Sequence, residues 1–306
     1  MVLIEGKKVA EKYREQLKEE IQMLDKEPGL AVIRIGDDAA SSIYVRLKHQ
    51  MCDELGINFV EYHLPEQTTQ SELIELINNL NADESINGIL LQSPIPYHLN
   101  ILEAFKTISP EKDVDGFSPL NVGKLTQGQD CFAACTPLGI MHLLKDYNID
   151  VEGKHCVVVG RSNIVGKPMA ELLLNSDATV TICHSHTKNL ADITKTADVL
   201  VVAIGNPKFI TADMVKEGAV VIDVGINRLK DTKKIVGDVD FENVKDKCSY
   251  ITPVPGGVGP MTIITLMGNI VKAYKNQNIK QERWKSKIFI LSSLESFRLK
   301  ERKSLV

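Results

Sequence analysis

The stretch from Cys156 to Pro168 reads CVVVGRSNIVGKP. Its apolar first half predicts a buried strand, and Pro168 is well placed at the start of a helix. A glycine-containing turn before a helix presents free backbone N–H groups and the positive end of the helix dipole, and both favour an anion. The stretch therefore predicts a phosphate-binding turn in a parallel α/β sheet.

This turn matches neither of two common phosphate-binding loops completely. A Walker A loop has the form GxxxxGK[ST], whereas five residues separate Gly160 from Gly166 here and Pro168 stands where Ser or Thr should hold magnesium. A dinucleotide-binding turn has the form GxGxxG, and Ser162 replaces its second glycine. We reject a nucleoside triphosphatase. An ordinary strand–helix turn and a dinucleotide-binding turn both remain open.

The end of the next predicted strand favours one cofactor. NAD sites carry an Asp or Glu about 20 residues after the turn, where it binds the ribose 2′-hydroxyl. Here that strand ends in ICHSHTKN, which contains Ser185 but no acid. Arg161 lies in the preceding turn, and a guanidinium matches a phosphate with two parallel hydrogen bonds. These residues predict NADP rather than NAD, the alternative being that Arg161 only faces solvent.

Helical and strand patterns alternate along the chain. The predicted strands are LAVIRIG, NFVEYHL and INGILLQ in the first half, and HCVVVG, TVTICH, VLVVAIG, AVVIDVG and CSYITP in the second. Such alternation predicts parallel sheets with right-handed crossovers. We expect two α/β domains: an N-terminal catalytic domain over residues 1–136, completed by a helix over 261–277, and a Rossmann-like domain over 137–260. The cleft between them is the expected ligand site.

Composition places the chain among globular proteins of the cytoplasm. It has 306 residues and a formal net charge of −4. No apolar run approaches the roughly 18 residues of a membrane span, and the N-terminus, with Glu5, lacks the apolar core of a signal peptide. None of the six cysteines forms a CxxC pair or has zinc-type spacing, so we expect reduced thiols and no metal site. They are Cys52, Cys131, Cys135, Cys156, Cys183 and Cys248.

The C-terminal segment 279–306 differs from the rest in charge. It carries eight Lys or Arg and three Glu, a net +5, which leaves −9 for the remainder. It also contains Trp284, the single tryptophan of the chain. A basic segment can bind nucleic acid or a membrane, but a solvated extension is the simpler interpretation. We therefore expect no nucleic-acid or membrane partner.

Several polar residues of the first half are candidates for chemistry. Tyr44 and Lys48 are four residues apart and share one face of a predicted helix. Gln92 ends a predicted buried strand, and the carboxyl ends of parallel strands are where such sheets bind ligands. Asp113 and Asp115 would share a face if the backbone were extended. Taken singly, each of these residues also fits an ordinary surface or loop position.

The stretch TPVPGGVGPMT, from Thr252 to Thr262, is rich in glycine and proline. Gly256, Gly257 and Gly259 would allow the backbone to approach a flat ligand closely. Pro260 is followed by a predicted apolar helix. Spacing alone does not identify the ligand of this loop.

Together these segments resemble the bifunctional methylenetetrahydrofolate dehydrogenase/methenyltetrahydrofolate cyclohydrolase family. The resemblance covers residues 1 to about 277 and rests on motifs in the family's order. They are IYVRLKH, ILLQSPIP, PEKDVDGFSPLNVGKL, CTPLGI, VVVGRSNIVGKPMA, TVTICHSHT, VVIDVGIN and TPVPGGVGPMT. It implies NADP-dependent oxidation of 5,10-methylenetetrahydrofolate and hydrolysis of the methenyl product to 10-formyltetrahydrofolate, in one-carbon metabolism and purine biosynthesis.

The resemblance also implies residue roles. Lys48 is similar to the family's general acid/base, Tyr44 to the residue that packs on the folate, Gln92 to the partner that tunes the lysine, and Asp115 to the anchor of the pterin ring. The implied NADP contacts are Gly160, Arg161, Ser162, Ser185 and Ile226, with Arg161 and Ser185 at the 2′-phosphate. Gly256 and Gly257 would line the folate cleft. A homodimer is implied in the same way.

The chain departs from the family pattern at a few positions. Ser93 follows the glutamine where the family usually has leucine, Arg34 interrupts a strand that is usually apolar, and the segment after Asn278 has no counterpart. The first two departures remove no chemical group from the expected site.

Two other functions fit parts of this pattern. One is an NADP-linked dehydrogenase of another small acid, and the other is a non-catalytic NADP-binding sensor. Neither would need Tyr44, Lys48, Gln92 and Asp115 together.

Overall fold

The computed structural model describes residues 1–229 and 234–279. The elements of its first half, in chain order, are β1 (Val2–Leu3), α1 (Gly6–Gln22), β2 (Gly29–Ile35), α2 (Ala39–Leu55), β3 (Asn58–Leu64), α3 (Gln70–Ala82), β4 (Gly88–Leu91), α4 (Ile101–Thr107) and α5 (Pro119–Thr126). Strands β2, β3 and β4 form a parallel sheet in the order β3-β2-β4. This sheet carries the first group of candidate residues.

The second half follows the same alternation. Its elements are α6 (Cys135–Asp146), β5 (His155–Val159), α7 (Gly166–Leu174), β6 (Thr179–Cys183), α8 (Leu190–Thr194), β7 (Val199–Val202), a 3₁₀ turn (Ala212–Met214), β8 (Val220–Asp223), β9 (Asn227–Arg228), β10 (Ile235–Val236), α9 (Phe241–Val244), a second 3₁₀ turn (Lys245–Lys247) and β11 (Tyr250–Ile251). A last helix, α10, spans residues 258–279.

The second sheet has the strand order β1-β11-β8-β7-β5-β6, and all of its strand pairs are parallel. The order reverses between β5 and β7, because β6 lies on one side of β5 and the later strands lie on the other. In open parallel sheets a ligand crevice forms at such a reversal, outside the carboxyl ends of the strands. The expected α/β fold with a Rossmann-like sheet is confirmed.

Local sequence signals explain where the helices begin. The carboxylate of Asp38 accepts a hydrogen bond from the backbone N–H of Ser41 at 2.7 Å and caps α2. Thr69 and Glu72 form a reciprocal capping box at the start of α3. Helix α2 ends at Gly56, whose φ of +76° suits glycine. Asp38 and Gly56 therefore fix the start and the end of α2, the helix that carries Tyr44 and Lys48.

Helix α10 packs on the first half of the chain, as its apolar pattern predicts. Ile264, Met267, Ile270 and Val271 are all buried. Farther along the helix, the side-chain amide of Gln277 exchanges hydrogen bonds with Asn87, at 2.9 Å in both directions. The end of the helix therefore lies beside the start of β4 in the first sheet.

The polar stretch SPEKDVDGFSPLN predicts a loop, and this prediction was wrong in its last part. Helix α5 begins at Pro119, and the hydroxyl of Ser118 accepts a hydrogen bond from the N–H of Asn121 at 3.3 Å. A serine cap followed by proline at the first helical position is a helix-start signal. The many polar residues around it concealed that signal.

Strand β1 pairs with β11 and so belongs to the second sheet, although residues 2–3 lie inside the expected first domain of 1–136. Two short strands, β9 and β10, form an antiparallel pair that the sequence analysis did not anticipate. The division of the chain into domains at residue 136 stays a prediction.

The charged residue in strand β2 is held by polar partners. Arg34 donates from Nε to the carboxylate of Glu61 at 3.0 Å on the neighbouring strand, and from Nη1 to the carbonyl oxygen of Gly36 at 3.1 Å. Nη1 also lies 3.2 Å from the hydroxyl of Ser42 in the first turn of α2. The arginine therefore links β2, β3 and α2, which accounts for its place in an apolar sheet.

The six cysteines carry free thiols, and five of them are buried. Cys156 and Cys183 lie in β5 and β6, as their apolar surroundings predict. In residues 1–229 and 234–279 no group of three or more His, Cys, Asp or Glu is arranged to hold a metal ion. None of the described helices is long and apolar enough to cross a membrane. The predictions for segment 279–306 lie outside the described residues from residue 280 onward.

Candidate active site

Lys48 and Gln92 are in direct contact. The amine of Lys48, on α2, donates to Oε1 of Gln92 at 2.8 Å, just after the carboxyl end of β4. Nε2 of the same amide donates to the backbone carbonyl of Ser93 at 2.8 Å, and because that carbonyl can only accept, Oε1 must face the lysine. Only the backbone of Ser93 takes part, so the departure from the family pattern there leaves this contact intact.

Burial sets the ionisation of this site. Burial lowers the pKa of Lys48, and the nearby negative charge of Asp115 opposes that shift. Burial likewise raises the pKa of Asp115, against the opposing effects of the positive charge of Lys48 and a hydrogen bond with Cys135. The two groups are near enough to interact, and both are shifted toward their neutral forms. A lysine with a lowered pKa can exchange a proton near neutral pH.

Tyr44 lies one helical turn before Lys48 on α2 and is 37% exposed. An exposed aromatic ring beside a partly buried amine leaves a flat apolar surface open to a ligand. Because both residues lie in α2, four positions apart, Tyr44 and Lys48 share one face of the helix, as the sequence predicts.

Asp113 and Asp115 do different things because the backbone between them turns. Asp113 is 2% exposed, and its carboxylate accepts hydrogen bonds from Ser118 N–H at 2.8 Å and from the side-chain amide of Asn121 at 2.8 Å. It thereby holds the start of α5. Asp115 is half-buried and interacts with Lys48. The premise that the two carboxylates share the face of an extended segment was wrong.

The turn after β5 lies at the strand-order reversal and is tightly packed. A Cβ atom on Gly160, whose φ is +129°, would lie 2.3 Å from the carbonyl oxygen of Ala203, which follows β7. A Cβ on Gly166 would lie 2.2 Å from the carbonyl oxygen of Gly160. Only glycine fits at either position. The two glycines let the start of α7 approach the strand, as dinucleotide-binding turns require.

Ser162 shapes this turn from within. Its hydroxyl accepts hydrogen bonds from the N–H groups of Val165 at 3.2 Å and Gly166 at 3.3 Å. The serine that replaces the second glycine therefore satisfies two backbone donors at the start of α7. This local role of Ser162 was not predicted from the sequence.

The corner expected to hold the 2′-phosphate is open and positively charged. Arg161 is exposed and makes no hydrogen bond or ion pair within residues 1–229 and 234–279. Ser185 is also exposed, at the end of β6. The pKa of His184, which precedes Ser185, is lowered mainly by burial and secondly by the positive charge of Arg161. The structure thus brings the predicted arginine and the end of β6 together.

The remaining predicted residues lie on loops of the second half. Ile226 is 52% exposed, just after β8, and a Cβ on Gly259 would lie 3.8 Å from its Cδ1 atom. The carbonyl oxygen of Gly256 accepts a hydrogen bond from the N–H of Lys7 at 3.1 Å, and a Cβ on Gly6 would lie 1.8 Å from the carbonyl oxygen of Gly257. The glycine-rich loop therefore packs on the start of α1 and reaches Ile226.

Two buried acids that were not predicted from the sequence hold the loops around the crevice. Asp238 is fully buried and accepts from the N–H groups of Ile204 at 2.7 Å and Gly205 at 3.0 Å. Its other oxygen accepts from Asn227 at 2.8 Å. Acids at the ends of apolar runs were the available signal, in VVID and GDVD.

The second acid, Asp223, orients the first. Asp223 accepts from the N–H groups of Gly225 at 3.0 Å, Asp238 at 2.9 Å and Val239 at 2.9 Å. Burial raises the pKa of Asp223 to about 6. The two carboxylates together connect the loops that follow β7, β8 and β10.

Comparison with known proteins assigns both halves of the chain to one family. Residues 4–115 match the family model described as the catalytic domain of tetrahydrofolate dehydrogenase/cyclohydrolase, and residues 134–278 match its NAD(P)-binding domain. The bifunctional protein FolD of Campylobacter hominis is 56% identical over 280 residues, which is 90% of this chain and 98% of that protein. The FolD protein of Bacillus anthracis is 54% identical over 281 residues, covering 91% and 98%.

Solved structures agree with these matches. The bifunctional FolD enzyme of Campylobacter jejuni superposes with a TM-score of 0.89 at 54% identity, covering 90% of this chain and 99% of that one. The FolD enzyme of Trypanosoma brucei, solved with NADP and an inhibitor, gives 0.87 at 38% identity, covering 90% and 98%. The protein described here belongs to the tetrahydrofolate dehydrogenase/cyclohydrolase family.

Proposed function

We propose that this protein oxidises 5,10-methylenetetrahydrofolate with NADP and hydrolyses the methenyl product to 10-formyltetrahydrofolate. The observation that carries the proposal is the contact of Lys48 with Gln92, beside Asp115 and on the same helix face as Tyr44. A sensor that only bound NADP would need none of these groups. The family assignment supports the same pair of activities.

The crevice of the second sheet fits a dinucleotide. The closely packed turn from Gly160 to Gly166 leads into α7, and the positive end of the dipole of this helix favours an anion such as a pyrophosphate. Arg161 and Ser185 would hold the 2′-phosphate. Both are exposed, and neither is hydrogen-bonded to another side chain among the described residues. Ile226 would offer an apolar contact. When bound, the oxidised nicotinamide supplies the hydride acceptor.

In the first reaction the bridging carbon loses a hydride, and the lone pairs of N5 and N10 stabilise the cation that remains. The chain's own task is to position the folate, because correct orientation of the reactants accounts for much of the rate. Asp115 would bind the pterin ring and Tyr44 would pack on it. No side chain has to transfer a proton in this step.

The second reaction needs a proton shuttle. Water adds to the methenyl carbon and loses one proton, which gives a neutral hydroxyl adduct. The hydroxyl of this adduct then loses its proton as the formyl C=O bond forms, and the bond from that carbon to N5 breaks while N5 takes up a proton. One proton is released overall. The amine of Lys48, whose pKa burial lowers, would accept the proton from water and return one to N5. Gln92 would keep the amine oriented toward the substrate.

A single set of assays tests the proposal. Purified protein is mixed with 5,10-methylenetetrahydrofolate and either NADP or NAD, and the methenyl and formyl products are followed separately with the reduced cofactor. We expect both products, in sequence, and a clear preference for NADP. Absence of either product from the wild-type protein would overturn the corresponding half of the proposal.

We also propose a cytoplasmic homodimer associated through the cofactor-binding half, in a pathway that supplies one-carbon units for purine biosynthesis. In support, β6 is an edge strand of the second sheet, and its Ile182 is 41% exposed. An exposed apolar edge strand favours association with another chain. Sedimentation of the wild-type protein and of an Ile182→Lys variant would test the dimer, which the variant should weaken.

A further inference from the structure

Helix α10 sends one buried amide into the turn that carries Asp115. The side chain of Asn269 is 5% exposed, and its Nδ2 atom lies 2.8 Å from the carbonyl oxygen of Val114. The same nitrogen lies 3.4 Å from the carbonyl oxygen of Ala133 and 3.6 Å from the thiol sulfur of Cys135. Because both carbonyls can only accept, the amide must present its nitrogen to them.

The carbonyl that Asn269 binds belongs to the peptide bond between Val114 and Asp115. That peptide is planar, so a hydrogen bond to the oxygen also orients the N–H and the Cα atom of Asp115. The contact therefore acts on the backbone of the proposed folate anchor, although Asn269 lies 155 residues away in the chain.

The turn is clamped from its other side as well. Gly116 has a φ of +73°, and a Cβ there would lie 2.6 Å from the carbonyl oxygen of Phe132 and 2.7 Å from the carbonyl carbon of Ala133. The backbone of Gly116, the residue after Asp115, therefore packs tightly against the segment that leads into α6. Asn269 binds both sides of this contact, since it donates toward Val114 and Ala133 together.

The thiol of Cys135 completes the cluster. Its sulfur is 3.5 Å from the carbonyl oxygen of Val114, and the residue is 2% exposed. Burial and the carboxylate of Asp115 raise the pKa of this thiol well above its ordinary value, so it stays protonated and can donate to that carboxylate. Asn269 touches the sulfur and so contacts both the backbone and the side-chain partner of Asp115.

We propose that Asn269 is a positioning residue of the folate site. It holds the carboxylate of Asp115 in its place near the amine of Lys48. The inference rests on the proposed function and assigns it a residue outside the cleft. A purely structural role, in which Asn269 only docks α10, would change stability and leave the folate interaction as it is.

The test compares Asn269→Asp with Thr265→Val. The first variant keeps the shape of the side chain and removes its donor. The second lies one turn earlier on α10 and removes a buried hydroxyl that has no hydrogen-bond partner within the described residues, so it is a matched control. Asn269→Leu is made in parallel, because it lacks the donor without adding a charge and remains informative if Asn269→Asp does not fold.

We expect both Asn269 variants to raise the KM for methylenetetrahydrofolate roughly tenfold, the factor that one buried hydrogen bond of about 1.4 kcal/mol represents. The KM for NADP should change less than about twofold, because the cofactor crevice lies in the other sheet. The control should match the wild type in both constants. Chemical denaturation of each variant separates loss of folding from loss of positioning.

A double-mutant cycle gives the deciding measurement. If Asn269 acts through Asp115, adding Asn269→Leu to Asp115→Asn should lower kcat/KM by much less than it does in the wild type. Additive effects, or variants of Asn269 that match Thr265→Val, would overturn the inference. A wild-type protein that does not turn over methylenetetrahydrofolate at all would instead refute the proposed function.

Discussion

The amine of Lys48 lies 2.8 Å from Oε1 of Gln92, across the gap between helix α2 and the end of strand β4. An amide oxygen orients the amine without adding a negative charge. Burial can therefore keep the pKa of Lys48 below its ordinary value. The first two predictions depend on this relationship.

Replacing Lys48 with Gln should abolish most of the methenyl hydrolysis while the protein still folds. The substitution removes the proposed proton shuttle, and loss of such a group lowers a rate by roughly a hundredfold or more. The rate of methenyl hydrolysis is the measurement, with Arg46→Gln as a control, since Arg46 is exposed on the same helix. Unchanged hydrolysis in the Lys48 variant would show that another group moves the proton.

Replacing Gln92 with Glu should shift the pH dependence of hydrolysis upward. A carboxylate beside the amine favours the ammonium form and raises the pKa of Lys48 from its lowered value. The neutral amine then appears only at higher pH, so the rising limb of the pH–rate curve moves to higher pH and the rate near neutral pH falls.

The control for this shift is Gln50→Glu, which adds the same charge at an exposed position of α2. The pH–rate curve of each variant is measured under saturating folate. If the rising limb of the pH–rate curve does not move in Gln92→Glu, Gln92 does not control the pKa of Lys48.

Replacing Arg161 with Ala should weaken the use of NADP far more than the use of NAD. The guanidinium is exposed at the end of β5, and an arginine–phosphate pair of this kind depends on two parallel hydrogen bonds. The KM for each cofactor is measured in the wild type, in Arg161→Ala and in Lys195→Ala, an exposed cation after α8. Equal use of both cofactors by the wild type would sink this prediction.

Ending the chain at Asn278 should leave the folate and NADP kinetics unchanged. All the residues assigned to catalysis or cofactor binding lie before this point, and Gln277 keeps its hydrogen bonds to Asn87. A chain that ends at Asn276 is the comparison, because it loses those bonds and should be less stable by about 1–3 kcal/mol. The readouts are both KM values and chemical denaturation.

A truncated protein that folds but loses activity, or that no longer assembles like the full chain, would assign a role to residues 279–306. The same outcome would contradict the interpretation that this segment is an extension with no part in catalysis.

Local signals were sufficient for much of the fold. The alternation of helical and strand patterns, the caps at Asp38 and Thr69, and the glycine turn after β5 are all properties of short segments. Helix α5 was missed because its start lies among polar residues that also fit a loop. Strand β1 was missed because two residues carry no pattern, and it exists only through its pairing with β11.

The residue types of the proposed site were readable from the sequence, and so was the prediction that Arg161 binds a phosphate, because each depends on chemistry and spacing within one segment. Only the tertiary structure decided which of these residues meet. Lys48 and Gln92 are 44 residues apart, and Asn269 reaches Val114 across 155. Such contacts depend on how sheets and helices pack, and the energies that bring them together belong to no single segment.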